Sequence, residues 1–171
     1  MSNLFNLENK VIVVTGACGL LGRNHCEAIA QAGGIPIILD LNKEKAEEFA
    51  EQISQKFCVD TSGYSVDITN EQEIKENSNY LVSRYSKIDG LVNNAANNPK
   101  VECQDGVHFS RLESFSLDIW ENDIAVGLTG AFLCCKHYGS KICNNINGGV
   151  IINISSDLGL IAPDQRLYCD N

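Results

Sequence analysis

The stretch that decides the fold is Lys10-Val11-Ile12-Val13-Val14-Thr15-Gly16-Ala17-Cys18-Gly19-Leu20-Leu21-Gly22. Its first six residues, Lys10 to Thr15, enclose an apolar, β-branched run, the mark of a strand buried on both faces. Glycines then recur at 16, 19 and 22, a G-x-x-G-x-x-G pattern. From Leu20 to Ala32 the pattern becomes helical, and Gly33-Gly34 stops it. In a strand–turn–helix, Gly16 permits a tight turn and Gly19 lets backbone approach a phosphate. Gly22 lets the helix pack closely on the strand. The opening of the helix presents free N–H groups and the positive end of its dipole to an anion. Ordinary turns also use glycine, so the triplet gains its meaning from its place between strand and helix.

The same alternation continues outward. Pro36–Asp40 reads as a second buried strand. Asn42 can cap a helix to about Lys56, with Ala46, Phe49, Ala50 and Ile53 as its apolar stripe. Tyr64–Asp67 is predicted as a third strand, and Thr69–Tyr85 as an amphipathic helix. Ile88–Asn93 is a fourth strand, 97–115 a loop, Asp118–Asn144 a long helix, and Gly149–Ile154 a fifth strand. Strands alternating with helices imply a Rossmann-type, doubly wound α/β fold, its parallel sheet covered on both faces. No linker or repeat divides residues 1–171, so one domain is expected. Ligands of such sheets bind beyond the carboxyl ends of the strands. The tips there are Thr15-Gly16, Asp40, Asp67, Asn93-Asn94 and Ser155-Ser156, nearly all polar.

Composition narrows the partners. The 171 residues are 44% hydrophobic and 20% charged, which excludes a disordered tail or a coiled coil. Thirteen basic against twenty-two acidic residues leave a net charge of −9, which repels a nucleic-acid backbone. A single nucleotide can still be held by backbone amides. The eight cysteines contain no C-x-x-C pair, and no histidine stands at finger spacing, so no metal site is expected. The first residues lack a cationic, apolar leader, and no run approaches the length of a membrane span. Reduced thiols in the cytoplasm are the expectation.

The second strand ends in Asp40, twenty-four residues past Gly16. An acid there can accept hydrogen bonds from adenosine ribose hydroxyls and repels a 2′-phosphate, favouring NAD over NADP. An N-cap or a plain surface acid is the competing reading, and Lys43 keeps NADP open. Asp67 can meet an adenine amino group or, equally, cap the helix that follows.

Three further segments resemble a known family. Asn93-Asn94-Ala95-Ala96 is similar to the N-N-A-G motif of short-chain dehydrogenases/reductases. Leu128-Thr129-Gly130-Ala131-Phe132 is similar to their N-L-T-G-x-F helix segment, and Asn153-Ile154-Ser155-Ser156 to the strand bearing their catalytic serine. With the Thr15–Gly22 loop, the resemblance spans nearly the whole chain in order. It implies a nicotinamide-dependent oxidoreductase moving hydride between the cofactor and a carbonyl or hydroxyl substrate. On the cofactor side it implies Gly16, Cys18, Gly19, Leu21 and Gly22 around the pyrophosphate, and Asp40 with Leu41 at the adenosine ribose. It places Asp67 and Ile68 at the adenine, and Asn94, Ala95 and Ala96 beneath the nicotinamide-side ribose. Ser156 would hydrogen-bond the substrate oxygen and stabilise its developing charge.

Four departures qualify this. The glycine spacing resembles the family's extended, nucleotide-sugar branch. Gly127 stands where the family has a proton-relay asparagine, and Ala96 replaces a glycine. The family's acid/base tyrosine belongs to Y-x-x-x-K, in which the lysine lowers the phenol's pKa. Tyr168 lies twelve residues past Ser156, but its lysine would fall at 172. Tyr168 is therefore either the catalytic tyrosine separated from its lysine or a substrate-loop residue. The run Ser156–Tyr168 resembles the branch near flagellin-modification and surface-sugar oxidoreductases, where an insertion precedes Y-x-x-x-K. The chain reads as the N-terminal portion of a longer enzyme, homo-oligomeric in its full-length form, acting on a small molecule. The alternatives are a non-catalytic nucleotide-binding module and an extended-branch sugar-nucleotide epimerase or dehydratase. A Rossmann methyltransferase suits neither N-N-A-A nor Ser-Ser. His25, His108 and His137 are read as surface or packing residues, and Trp120 and Phe132 as helix-face core. Cys18 is expected to have its thiolate favoured by the helix N-terminus.

Overall fold

The computed structural model describes residues 5–97, 112–161 and 164. Its centre is β1 (Val11–Thr15), buried at all five positions. Around it lie β2 (Ile35–Asp40), β3 (Ser62–Ser65), β4 (Gly90–Asn93) and β5 (Val150–Asn153). All pair in parallel, in the order β3-β2-β1-β4-β5. The chain builds outward from β1 to β3, then returns across β1 to start β4. The order therefore reverses between β1 and β4, and the crevice outside their carboxyl ends is the expected ligand position.

Two cores follow from strand alternation. Val11, Val13, Ile37, Leu39 and Leu91 face α3 (Glu71–Tyr85) and α5 (Ala131–Cys143), where Ile74, Leu81 and Tyr138 are fully buried. Ile12, Val14, Ile38 and Val92 face α1 (Leu20–Gln31) and α2 (Lys43–Phe57) through Cys26, Phe49 and Ile53. Burying each such aliphatic side chain contributes about 1.5–3 kcal/mol. Helix ends follow local chemistry. The Asn42 side chain accepts from Lys45 N at the start of α2. Cys58 and Ser86 close α2 and α3 in the left-handed region, at φ 56° and 68°.

Four sequence expectations shift. The third strand runs Ser62–Ser65 rather than Tyr64–Asp67. It is a half-exposed edge, so it lacks the apolar run that marks interior strands, and its glycine is required by α2: a Cβ on Gly63 would stand 2.1 Å from Ala46 O. The fourth strand spans Gly90–Asn93, and Asp89 before it already bonds both neighbours through its backbone, its N–H donating to Val11 O (2.7 Å) and its carbonyl accepting from Val150 N (3.1 Å). Its carboxylate accepts from Val11 N (3.0 Å) and pairs with Lys10 and Lys87 (3.1 and 3.0 Å). Burial alone would raise the Asp89 pKa, but the amide and the two ammonium groups outweigh it and lower it. The long helix expected over 118–144 is three segments: α4 (Leu117–Ile124), a π turn over Ala125–Gly130, and α5. Within 97–115, a 3₁₀ turn spans Leu112–Ser114.

β5 remains open. Val150, Ile151 and Ile152 are 53%, 38% and 47% exposed, unlike the interior strands. On the outer side of the α4–α5 segment, Leu117, Trp120, Leu128 and Phe132 are more than half exposed, so Trp120 and Phe132 are surface residues here rather than core.

Candidate active site

The glycine turn and the exit of β4 form one unit. Thr15, 1% exposed, is its rivet: its hydroxyl accepts from Asn94 N (3.0 Å) and Ala95 N (3.1 Å) and donates to Val92 O (3.4 Å). Asn94 Nδ2 returns two bonds, to Thr15 O (2.9 Å) and Gly16 O (3.1 Å). Gly16 has φ +60°, and a Cβ on it would lie 2.9 Å from Ala95 Cα. A Cβ on Gly22 would lie 2.3 Å from Gly16 O and 2.7 Å from Ala17 Cα, so the first turn of α1 rests directly on the loop. Gly19 precedes α1 with no side-chain cap, and that helix has no acid in its first turn. Among the described residues, nothing accepts from the Leu20, Leu21 and Gly22 amides. Three unpaired N–H groups and an unopposed dipole end thus face the carboxyl edge of the sheet.

Asp40 ends β2. Its Oδ2 accepts from Cys18 N at 2.9 Å and its Oδ1 from Asn42 N at 3.4 Å, so the acid is tied to the glycine loop rather than capping α2. Asp67 follows β3. Its Oδ1 accepts from Thr69 N (2.8 Å) and Thr69 Oγ1 (2.7 Å), while Asn70 caps α3 through bonds from Gln72 N and Glu73 N. Beside these, Asn93 Nδ2 donates to Asn153 Oδ1 (2.8 Å) and meets Cys135 Sγ (3.3 Å), joining β4, β5 and α5.

These elements enclose a cleft of about 420 Å³. Gly16, Gly19 and Leu21 line it with Asp40, Leu41, Asp67, Ile68, Asn94, Ala95 and Ala96, so ten residues singled out from sequence converge there. Gly22 stands behind, as the helix-to-loop contact. Cys18 also stands behind, and its expected reactivity is reversed. Burial, with the Asp40 carboxylate beside it, pushes its thiol pKa up to about 11. The amide of Cys18, not its sulfur, is the group in use. Four lining residues escaped the sequence reading: Leu20, Val66, Asn97 and Val126. Leu20 and Val66 adjoin named positions. Asn97 donates through Nδ2 to Asn122 O at 3.2 Å, and Val126 reaches the cleft from the π turn.

The residues expected on the substrate side are less assembled. Ser156 is exposed, accepts from Leu158 N (3.2 Å) and donates to Asp157 Oδ1 (3.2 Å), capping a 3₁₀ turn over Asp157–Gly159. It does not line the cleft. Tyr168 lies outside the described residues. Among the described residues, a Cβ on Gly127 would meet nothing within 4 Å, so no described side chain fills the place of the family asparagine.

The family model of short chain dehydrogenases matches residues 10–169. The chain belongs to the short-chain dehydrogenase family. D-threitol dehydrogenase of Mycolicibacterium smegmatis is 30% identical over 96% of this chain and 60% of its own length. The post-translational flagellin modification protein A of Campylobacter coli is 29% identical over 95% of this chain and 61% of its own length. An NAD+-bound xylitol dehydrogenase structure superposes with a TM-score of 0.79 at 26% identity, covering 92% of this chain and 56% of that one. The chain thus spans about three-fifths of the length of these relatives. In this short-chain dehydrogenase fold, no helix among the described residues is long and apolar enough to cross a membrane.

Proposed function

We propose that this chain holds NAD for an oxidoreductase that transfers hydride between the nicotinamide and a carbonyl or hydroxyl carbon of a small molecule, a sugar derivative or polyol. The observation that carries this is the set of Leu20–Gly22 amides, unpaired among the described residues, at the head of a helix whose Leu20 and Leu21 line the cleft together with Asp40. A pyrophosphate answers the amides and the dipole, and ribose hydroxyls answer the carboxylate. Gly16 and Gly19 line the cleft where it would lie, Gly22 lets α1 rest on the loop behind it, and Asn94 keeps the loop in place. Asp67 and Ile68 suit the adenine, and Ala95 and Ala96 the second ribose. Asp40 disfavours the additional phosphate of NADP.

When bound, the nicotinamide supplies the hydride acceptor or donor. Ser156 would donate a hydrogen bond to the substrate oxygen, and Tyr168 would exchange its proton. The bonds Ser156 makes within its own turn, away from the cleft, favour a second reading: a nucleotide-binding module without turnover. The names of the relatives, a threitol and a xylitol dehydrogenase, support the polyol class. The exposed stripe Leu117, Trp120, Leu128 and Phe132 supports homo-oligomerisation of the full-length form. Six free thiols among the described residues support a reducing, cytoplasmic location.

A fluorescence titration with NADH, followed by a hydride-transfer assay on polyols and ketoses, tests the reading. Binding with turnover supports the enzyme, and binding without turnover supports the module. A folded chain that does not bind NADH removes both.

A further inference from the structure

Asp67 stands just past β3 between two core residues, Val66 and Ile68, which are 3% and 8% exposed. Its backbone N–H lies beyond the sheet and is taken by a side chain from the next helix: it donates to Glu73 Oε2 at 2.8 Å. The other Glu73 oxygen accepts from Asn70 Nδ2 at 2.9 Å. Asn70 in turn caps the helix that carries Glu73, so cap and clamp hold each other. A carboxylate in the first turn of α3 is also favoured by the helix dipole. Both contacts are charge-assisted, hence stronger than neutral ones.

The effect falls on the Asp67 side chain. Its Oδ1 is occupied twice by Thr69. Among the described residues nothing donates to its Oδ2, while Asp67 itself lines the cleft. That leaves one free anionic acceptor on this wall. A ligand group placed against it must bring an N–H; a carbonyl oxygen there would meet like charge.

We infer that Glu73, which does not line the cleft, is a positioning residue: by holding the Asp67 N–H and the Asn70 cap, it fixes Asp67 Oδ2 as the acceptor that selects a 6-amino purine over a 6-oxo purine. This rests on the nucleotide reading above. A residue that only capped α3 would affect every ligand of the cleft alike. A residue that aims one oxygen at one edge of the base affects discrimination between bases.

NADH and its hypoxanthine analogue, deamino-NADH, differ only in that edge, and both fluoresce. The unmutated chain should bind NADH tighter than the analogue by roughly tenfold or more, the range of one hydrogen bond to a charged group. Glu73→Gln, which offers one acceptor instead of two, and Glu73→Asp, which is too short to reach, should each bring the ratio to within about threefold. Glu76→Gln, on the same helix and bonded to Gln72 rather than to the loop, should keep the ratio. Variants that weaken both ligands equally and keep the ratio overturn the Glu73 assignment. An unmutated chain that binds both analogues equally also overturns it, while leaving the cofactor reading standing. An unmutated chain that binds neither overturns the cofactor reading itself. Should neither variant fold, the unmutated chain decides: the Asp67 amide exchanges slowly if Glu73 holds it, and as fast as an open loop amide if not.

Discussion

Replacing Asp40 separates a ribose contact from a mere structural tie. Its carboxylate lines the cleft and also accepts from Cys18 N at 2.9 Å. Removing a hydrogen bond between a charged acceptor and a ribose hydroxyl costs about 1.5–3 kcal/mol, or roughly 10- to 150-fold in Kd. NADP responds differently. A 2′-phosphate about 5 Å from the carboxylate, at an effective dielectric near 20, is repelled by about 3 kcal/mol per unit charge pair. Asp40→Ala removes that repulsion, so NADPH affinity should hold or rise while NADH affinity falls. The NADH/NADPH preference should shrink by roughly 10- to 150-fold from the NADH loss alone, and by more to the extent that NADPH gains. Asp40→Asn keeps an oxygen for Cys18 N and isolates the charge: NADPH should gain, with the loop intact. Parallel fluorescence titrations at low salt, with thermal melts to confirm folding, provide the readout. Equal losses for NADH and NADPH would refute the reasoning, because they would show a damaged loop rather than a missing charge.

Other predictions test separate links. Gly22→Ala places a Cβ 2.3 Å from Gly16 O, so it should lower stability by about 1–3 kcal/mol in urea melts; an unchanged midpoint contradicts the packing of α1 on the loop. Gly127→Ala meets nothing among the described residues and lies within a helical segment, so it should be neutral or stabilising by up to about 1 kcal/mol. Because the folded Asp89 carboxyl lies below its ordinary value of 3.8, its contribution is present above that pH and lost as pH falls through the folded value. Urea midpoints from pH 6 down to 3 should therefore drop less steeply in Asp89→Asn than in the unmutated chain, and parallel profiles would deny Asp89 that role. Cys18, with its thiol pKa pushed up to about 11, should alkylate slowly at pH 7 and faster towards pH 10; labelling at the rate of an ordinary exposed thiol at pH 7 would contradict its burial.

The interior of the fold was legible because interior parallel strands are continuous apolar runs. Val11–Val14 and Ile37–Leu39 announce themselves in that way. Ser62–Ser65 does not, since an edge strand carries its apolar load on part of one face, and its start was misread by two residues. The π turn at Ala125–Gly130 was invisible because such a turn has no residue pattern that separates it from the α-helices on either side, and with it went Val126. In the site, glycines and strand-tip acids were readable since their chemistry is local: Gly16 needs its positive φ, and Asp40 ends its strand. Glu73 and Thr15 were not, because their roles arise from partners that only the fold brings near, such as the Asp67 and Ala95 amides. The reactivity expected of Cys18 failed for the same reason: helix position was visible, but the Asp40 carboxylate beside it was not.

The most direct measurement is the amide spectrum of the chain, labelled with ¹⁵N, titrated with ADP-ribose. Leu20, Leu21 and Gly22, whose N–H groups have no acceptor among the described residues, should show the largest shifts, with Cys18 following through Asp40. ADP-ribose binding that leaves those three resonances in place would contradict the account.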